Sequence, residues 1–107
     1  VEYLGGLDLA VSNVSTRPTM QGDEGWREAF DTDFLQHKRM ADLALPHLQA
    51  GREGSLLFVS SIASVLTVLP PGEDAYGAMK AALVALTGQL AARHGAKGVR
   101  VNAVSPG

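Results

Sequence analysis

Hydrophobic and polar positions along this chain follow two different periods. Leu7–Val11, Leu56–Val59 and Val99–Val104 are short apolar runs that each lead into small polar residues, as buried strands do. Between them lie longer stretches with helical spacing. Trp26, Phe30 and Phe34 fall at i, i+4 and i+8, and Ala41, Leu45 and Leu48 extend the stripe, which predicts a helix closed at Gly51. Pro46 should kink or loosen its last turns. A second helix is expected from Asp74 to His94, with Ala75, Met79, Ala82, Leu83, Leu86 and Leu90 on one face, Tyr76 and Lys80 beside them, and Gly95 and Gly98 as its stop. Residues 1–6 read as the tail of a helix ending at Gly5-Gly6, while Ser12–Gly25 and Ser61–Glu73 read as loops, the latter carrying Pro70-Pro71-Gly72.

The order strand–helix–strand–helix–strand, with connections of this length, implies a parallel sheet covered by helices and an α/β architecture of three parallel strands and two long helices. Parallel strands need cover on both faces and neighbours on both edges. Two helices do not supply that, so the unit reads as part of a larger domain.

Composition narrows the class rather than naming it. The chain has 107 residues, 46% hydrophobic and 19% charged, with net charge −2 and no cysteine. Such a balance gives no reason to expect nucleic acid or an anionic membrane as a partner. No apolar run reaches the ~18 residues a membrane span needs, so a cytoplasmic location is the expectation.

Candidate chemistry concentrates in Ala75-Tyr-Gly-Ala-Met-Lys80. The Tyr-x-x-x-Lys spacing sets a phenol and an ammonium one helical turn apart on the same face. A free phenol ionises near pH ~10. A positive charge about 4–5 Å away, at an effective dielectric near ~20, stabilises its anion by roughly 3–4 kcal/mol. The pair therefore suits acid/base work near neutral pH, although an exposed pair with snorkelling stems has the same spacing. Because all three strands release polar residues at their C-terminal ends, a hydroxyl, a phenol and an ammonium converge at the carboxyl edge of the sheet. His37, His47 and His94 are scattered over two helices, which suggests no metal site. His94, near a helix end, is placed to complement the dipole.

Together, Tyr76 and Lys80, the Ser60-Ser61 pair after the second strand and the Pro106-Gly107 turn after the third resemble the short-chain dehydrogenase/reductase family over essentially all 107 residues. The resemblance implies a doubly wound, NAD(P)-binding Rossmann fold. Residues 1–107 would be a partial domain, from the family's fourth strand through its sixth, lacking the N-terminal glycine-rich cofactor motif and the C-terminal substrate-covering segment. It further implies an oxidoreductase that interconverts an alcohol and a ketone with NAD or NADP. Tyr76 would be the general acid/base, with Lys80 assisting it and binding the nicotinamide ribose. Ser61 would hold the substrate oxygen, with Ser60 and Ser64 as alternates because the spacing to Tyr76 is wider than in most members. Asp33 stands seven residues after Trp26, where the family usually places an asparagine that anchors a relay water. Ser12-Asn13-Val14-Ser15 replaces the usual Asn-Asn-Ala-Gly, so Asn13 is the one match on the adenosine side. Pro106 and Gly107 would pack against the nicotinamide. Small carbonyl or alcohol substrates and further copies of the chain, as a dimer or tetramer through the two long helices, are the implied partners. The alternative is a non-catalytic nucleotide-binding relative, or a structural fragment unable to bind cofactor.

Overall fold

The computed structural model describes residues 6–15, 22–66, 69–70 and 73–106. The expected helix tail before Gly6, and Pro71, Gly72 and Gly107, lie outside the described residues. Strands β1 (Leu9–Ser12), β2 (Ser55–Val59) and β3 (Arg100–Val104) form one parallel sheet in the order β1-β2-β3. In register, Leu9 pairs with Ser55 and Ser55 in turn with Arg100, while Ser12 pairs with Phe58 and Phe58 with Ala103. Strand boundaries differ from the sequence reading by one or two residues.

Between β1 and β2 the chain runs through α1 (Gly22–Ala29), a π-helical segment (Phe30–Leu35) and α2 (Gln36–Ala50). Both flanks of the π segment, Ala29 at φ −61°, ψ −44° and Gln36 at φ −62°, ψ −38°, keep ordinary helical angles, so the three pieces make one continuous helix. Helix α3 covers Asp74–His94, as expected from the sequence. A 3₁₀ turn at Gly95–Lys97 follows, and Gly98 ends it in the left-handed region at φ 83°, where glycine carries no Cβ penalty.

Ala10 of β1, Leu56 and Phe58 of β2 and Val101 of β3 pack with Ala41, Ala44, Leu45 and Leu48 of α2 and Leu83 and Leu90 of α3 into a single core. Both helical layers therefore sit on one face of the sheet. On the other face Leu9 is 57% exposed and Val11 and Val104 nearly half exposed.

One expectation for the first helix is corrected. The aromatic stripe does not face the core: Trp26 is 41% and Phe30 42% exposed, and Phe30 stacks on Phe34 with ring centroids 5.9 Å apart. The buried line is instead Ala29, Asp33, His37 and Ala41. In an α-helix a four-residue step over-rotates by about 40°, so four such positions drift off one face. The wider π turn takes back part of that drift and keeps them aligned. Ala29, small and wholly buried, lets α1 lie close against α3. At Pro46, expected to kink or loosen the last turns, α2 runs on to Ala50. Both Pro46 and Asp42, whose carbonyl loses its helical donor there, are on the solvent side, so water can satisfy the freed group.

Gly54 sets the entry to β2. Its carbonyl accepts from Arg100 N at 3.0 Å, and a Cβ there would lie 2.5 Å from the Leu48 carbonyl oxygen. Replacing Gly54 with alanine should destabilise the protein by about 1–3 kcal/mol, because backbone rather than a flexible side chain must give way. Urea unfolding checks this; an unchanged midpoint would refute the close approach.

Candidate active site

The first turns of α3 place Tyr76 and Lys80 on the buried face rather than beside it. Tyr76 is 8% exposed and Lys80 only 2%, and with Leu83, Thr87 and Leu90 they make up the inward line of the helix. Met79 and Ala82, expected on that line, are half-buried at its margin. Lys80 is fixed from both ends. Its Nζ donates to the Val59 carbonyl at 3.1 Å, and its own carbonyl accepts from Ser60 Oγ at 3.1 Å. The ammonium lies 5.7 Å from the centre of the Tyr76 ring.

Three serines follow β2 in different settings. Ser60 is buried and its hydroxyl is committed to Lys80. Ser61 is half-buried with an extended backbone, and its Oγ accepts from Ala63 N at 3.1 Å, capping the 3₁₀ turn Ile62–Ser64. That bond uses a lone pair and leaves the hydroxyl proton able to donate elsewhere. Ser64 lines a surface cavity of about 370 Å³ with Leu69, Asp74, Gly77 and Ala81. Gly77 is required there, since a Cβ would meet Leu69 Cδ1 at 2.6 Å and the Ala63 oxygen at 2.9 Å.

The strand ends are tied together. Ser60 N donates to the Val104 carbonyl at 2.7 Å, and Ile62 N donates to the Pro106 carbonyl at 3.0 Å. Pro106 and Asn13 are exposed just beyond β3 and β1. Tyr76, Lys80 and Ser61, with Asn13 and Pro106, are thus distributed along the carboxyl edge, where open parallel sheets bind ligands.

Asp33 projects from the π segment, which packs against α3. It is wholly buried, and neither carboxylate oxygen has a hydrogen-bond partner among the described residues. Burial holds Lys80 below its ordinary pKa, while the negative charge of Asp33 acts in the opposite sense.

His37, one helical turn after Asp33, is a site residue that sequence reasoning missed. Ser12 Oγ donates to its Nδ1 at 2.6 Å, and its Nε2 donates to the Val14 carbonyl at 3.0 Å. The ring thereby braces the end of β1 and the turn that carries Asn13, and meets the Phe58 ring edge-on. The signal was the i, i+4 spacing from Asp33 together with small polar residues after β1. His94 also departs from expectation. Its Nδ1 accepts from Gln49 Nε2 at 2.7 Å, and burial with the nearby charges of Lys97 and Arg93 lowers its pKa. It links the ends of α2 and α3 as a neutral ring instead of serving the helix dipole as a cation. Among the described residues no group of three His, Asp or Glu is gathered to hold a metal ion.

Burial, and secondarily the charge of Lys80, lower the His37 pKa below 6.5; the bond to Val14 and the charge of Asp33 oppose them. Its stabilising contribution is therefore complete above pH 6.5 and is lost as pH falls from there towards the folded value. Thermal unfolding of wild type and His37→Asn at pH ~7.5 and ~5.5 tests this. The wild type should lose more stability between the two, and equal losses would disprove the assignment.

The sequence pattern of the enoyl-(acyl carrier protein) reductase family matches residues 1–107. The chain is 35% identical over 112 aligned positions to rabbit (Oryctolagus cuniculus) L-fucose dehydrogenase, covering 100% of this chain and 38% of that protein. It superposes on a crystal structure of a 3-ketoacyl-ACP reductase from Sinorhizobium meliloti 1021 with TM-score 0.90 and 34% identity, covering 100% of this chain and 44% of that one. A short-chain dehydrogenase/reductase from Caenorhabditis elegans, crystallised with cofactor, matches with TM-score 0.88 and 29% identity over 99% of this chain and 41% of that one. The chain thus spans well under half the length of these relatives.

Proposed function

The chain belongs to the short-chain dehydrogenase/reductase family, and from that footing we propose an NAD(P)-dependent oxidoreductase that interconverts an alcohol and a ketone. The observation that carries the reading is the buried Tyr76–Lys80 pair at the carboxyl edge, with the ammonium held by the Val59 carbonyl. An exposed, solvated pair would do no such work; a pair removed from water feels each other's charge at low dielectric.

In the reductive direction the Tyr76 hydroxyl gives its proton to the carbonyl oxygen, and in the oxidative direction the phenolate takes the hydroxyl proton. Lys80 stabilises the phenolate. Ser61, through its remaining proton, orients the substrate oxygen and shares its developing charge. Hydroxyl, phenol and ammonium donors along one sheet edge match the hydroxyl-rich ribose and carboxamide of NAD or NADP, with Asn13, Lys80, Pro106 and Gly107 as the residues to hold it. When bound, that group supplies or accepts the hydride. The apolar outer sheet face, with Leu9, Val11 and Val104 exposed, suits cover by a further helical layer of a doubly wound domain. Val14, about half exposed where the family has alanine, favours the second reading, a nucleotide-binding relative without turnover. Cofactor fluorescence together with a ketone panel separates the two.

We expect Tyr76→Phe to reduce turnover by roughly 10²–10⁴-fold while leaving cofactor affinity nearly unchanged. A variant that keeps most of its activity would sink the role given to Tyr76.

We also propose that the protein assembles as a homo-oligomer through its two long helices. Along α3 the exposed Val84, Ala85, Gly88 and Ala92 form a narrow strip that admits a partner helix closely, and Trp26 of α1 and Phe30 of the π segment add exposed aromatic surface. Light scattering at micromolar concentration should give a dimer or tetramer mass, and Val84→Asp should shift it towards monomer. A monomer mass for the wild type would end the proposal.

A further inference from the structure

Resting on that proposed reaction, we propose that Asp33 is the counter-charge of Lys80, a positioning residue that keeps the buried lysine an ammonium and so acts on Tyr76 without touching substrate. Three observations carry this. Asp33 has no exposed surface, and among the described residues both its oxygens lack a hydrogen-bond donor, so nothing in its own segment explains a carboxylate at that position. Lys80 is 2% exposed and its Nζ reaches the Val59 carbonyl, a neutral acceptor. The π segment that carries Asp33 packs directly on α3.

Each group alone would be an uncompensated buried charge, which proteins avoid by neutralising the group or pairing it. Together they cancel. The carboxylate has no hydrogen bond to the ammonium, yet its charge acts on the lysine. That separation leaves the ammonium's field on the phenol only partly offset.

The charged and titratable groups around Lys80 come from each packed element. Tyr76 lies one turn before it on α3, the charge of Asp33 reaches it from the π segment, and its own charge in turn acts on His37 of α2. Burial and the charge of Lys80 itself favour the neutral form of His37, against the opposing bond to Val14 and charge of Asp33, so it is not a second positive charge to be balanced. Asp33 is thus the anion available to Lys80 among these neighbours. An asparagine at this position keeps the shape and removes the charge.

The test uses the whole protein with lysine labelled at 13Cε, the Lys80 resonance being assigned from a Lys80→Arg variant. Lys80 should titrate as an ammonium through pH ~7.5 in the wild type, and Asp33→Asn should move its midpoint to lower pH. On any ketone or secondary alcohol that the protein turns over, the same variant should lower the ratio of the rate at pH ~9 to that at pH ~7 by roughly three-fold or more. A wild-type Lys80 already neutral at pH ~7.5 would overturn the proposal without any variant, and so would an unchanged or raised midpoint in Asp33→Asn. The resonance reports on Lys80 whether or not the protein reduces ketones. Failure of the Tyr76 assignment would leave it unaffected, whereas a static midpoint beside an inactive Tyr76→Phe would discard the role of Asp33 alone.

Discussion

An ammonium taken almost wholly out of water has to be neutralised by its surroundings, and much of this structure is arranged around that requirement at Lys80. The side chain reaches across the helix–sheet junction to a strand carbonyl. Its helix lies against the segment that brings in a buried carboxylate. The lysine also stands on the inward line of α3 between Tyr76 and Leu83, so the polar site and the apolar core share one helix face. A substitution there disturbs packing and charge together.

The π-helical segment is the other half of that arrangement. A regular α-helix would carry Ala29, Asp33, His37 and Ala41 progressively off a common line. With one widened turn, the same helix presents a small residue to α3, a wholly buried carboxylate, an imidazole to β1 and a methyl to the core. Such turns recur at functional sites, where an inserted residue re-aims side chains. The large aromatics are displaced outward as a consequence, and Phe30 and Phe34 stack beside solvent.

The sequence made α3 legible to the residue, because acidic residues begin it, glycines end it and no proline interrupts it. The three strands were legible to within two residues from their apolar runs, and their parallel order followed from the length of the connections. The inward face of the first helix was not. Hydrophobic size pointed to Trp26 and Phe30, whereas close helix packing selected Ala29 and the site selected Asp33 and His37. No propensity announces a π turn, and the i, i+4 spacing of His37 from Asp33 does not by itself specify partners 23 and 25 residues away. Of the candidate site, Tyr76 and Lys80 were readable from spacing. The three serines after β2 needed coordinates, since only the bond from Ser60 Oγ to Lys80 distinguishes a bracing serine from its neighbour.

The double anchoring of Lys80 has an entropic meaning. A free lysine side chain carries up to about 2 kcal/mol of rotamer entropy, and a ligand that had to immobilise it would bind more weakly by a comparable amount. Here adjacent residues of one strand end, Val59 and Ser60, grip the side chain and the backbone of the same lysine. That ordering is completed when the chain folds, so whatever reaches this edge meets a charge already in position.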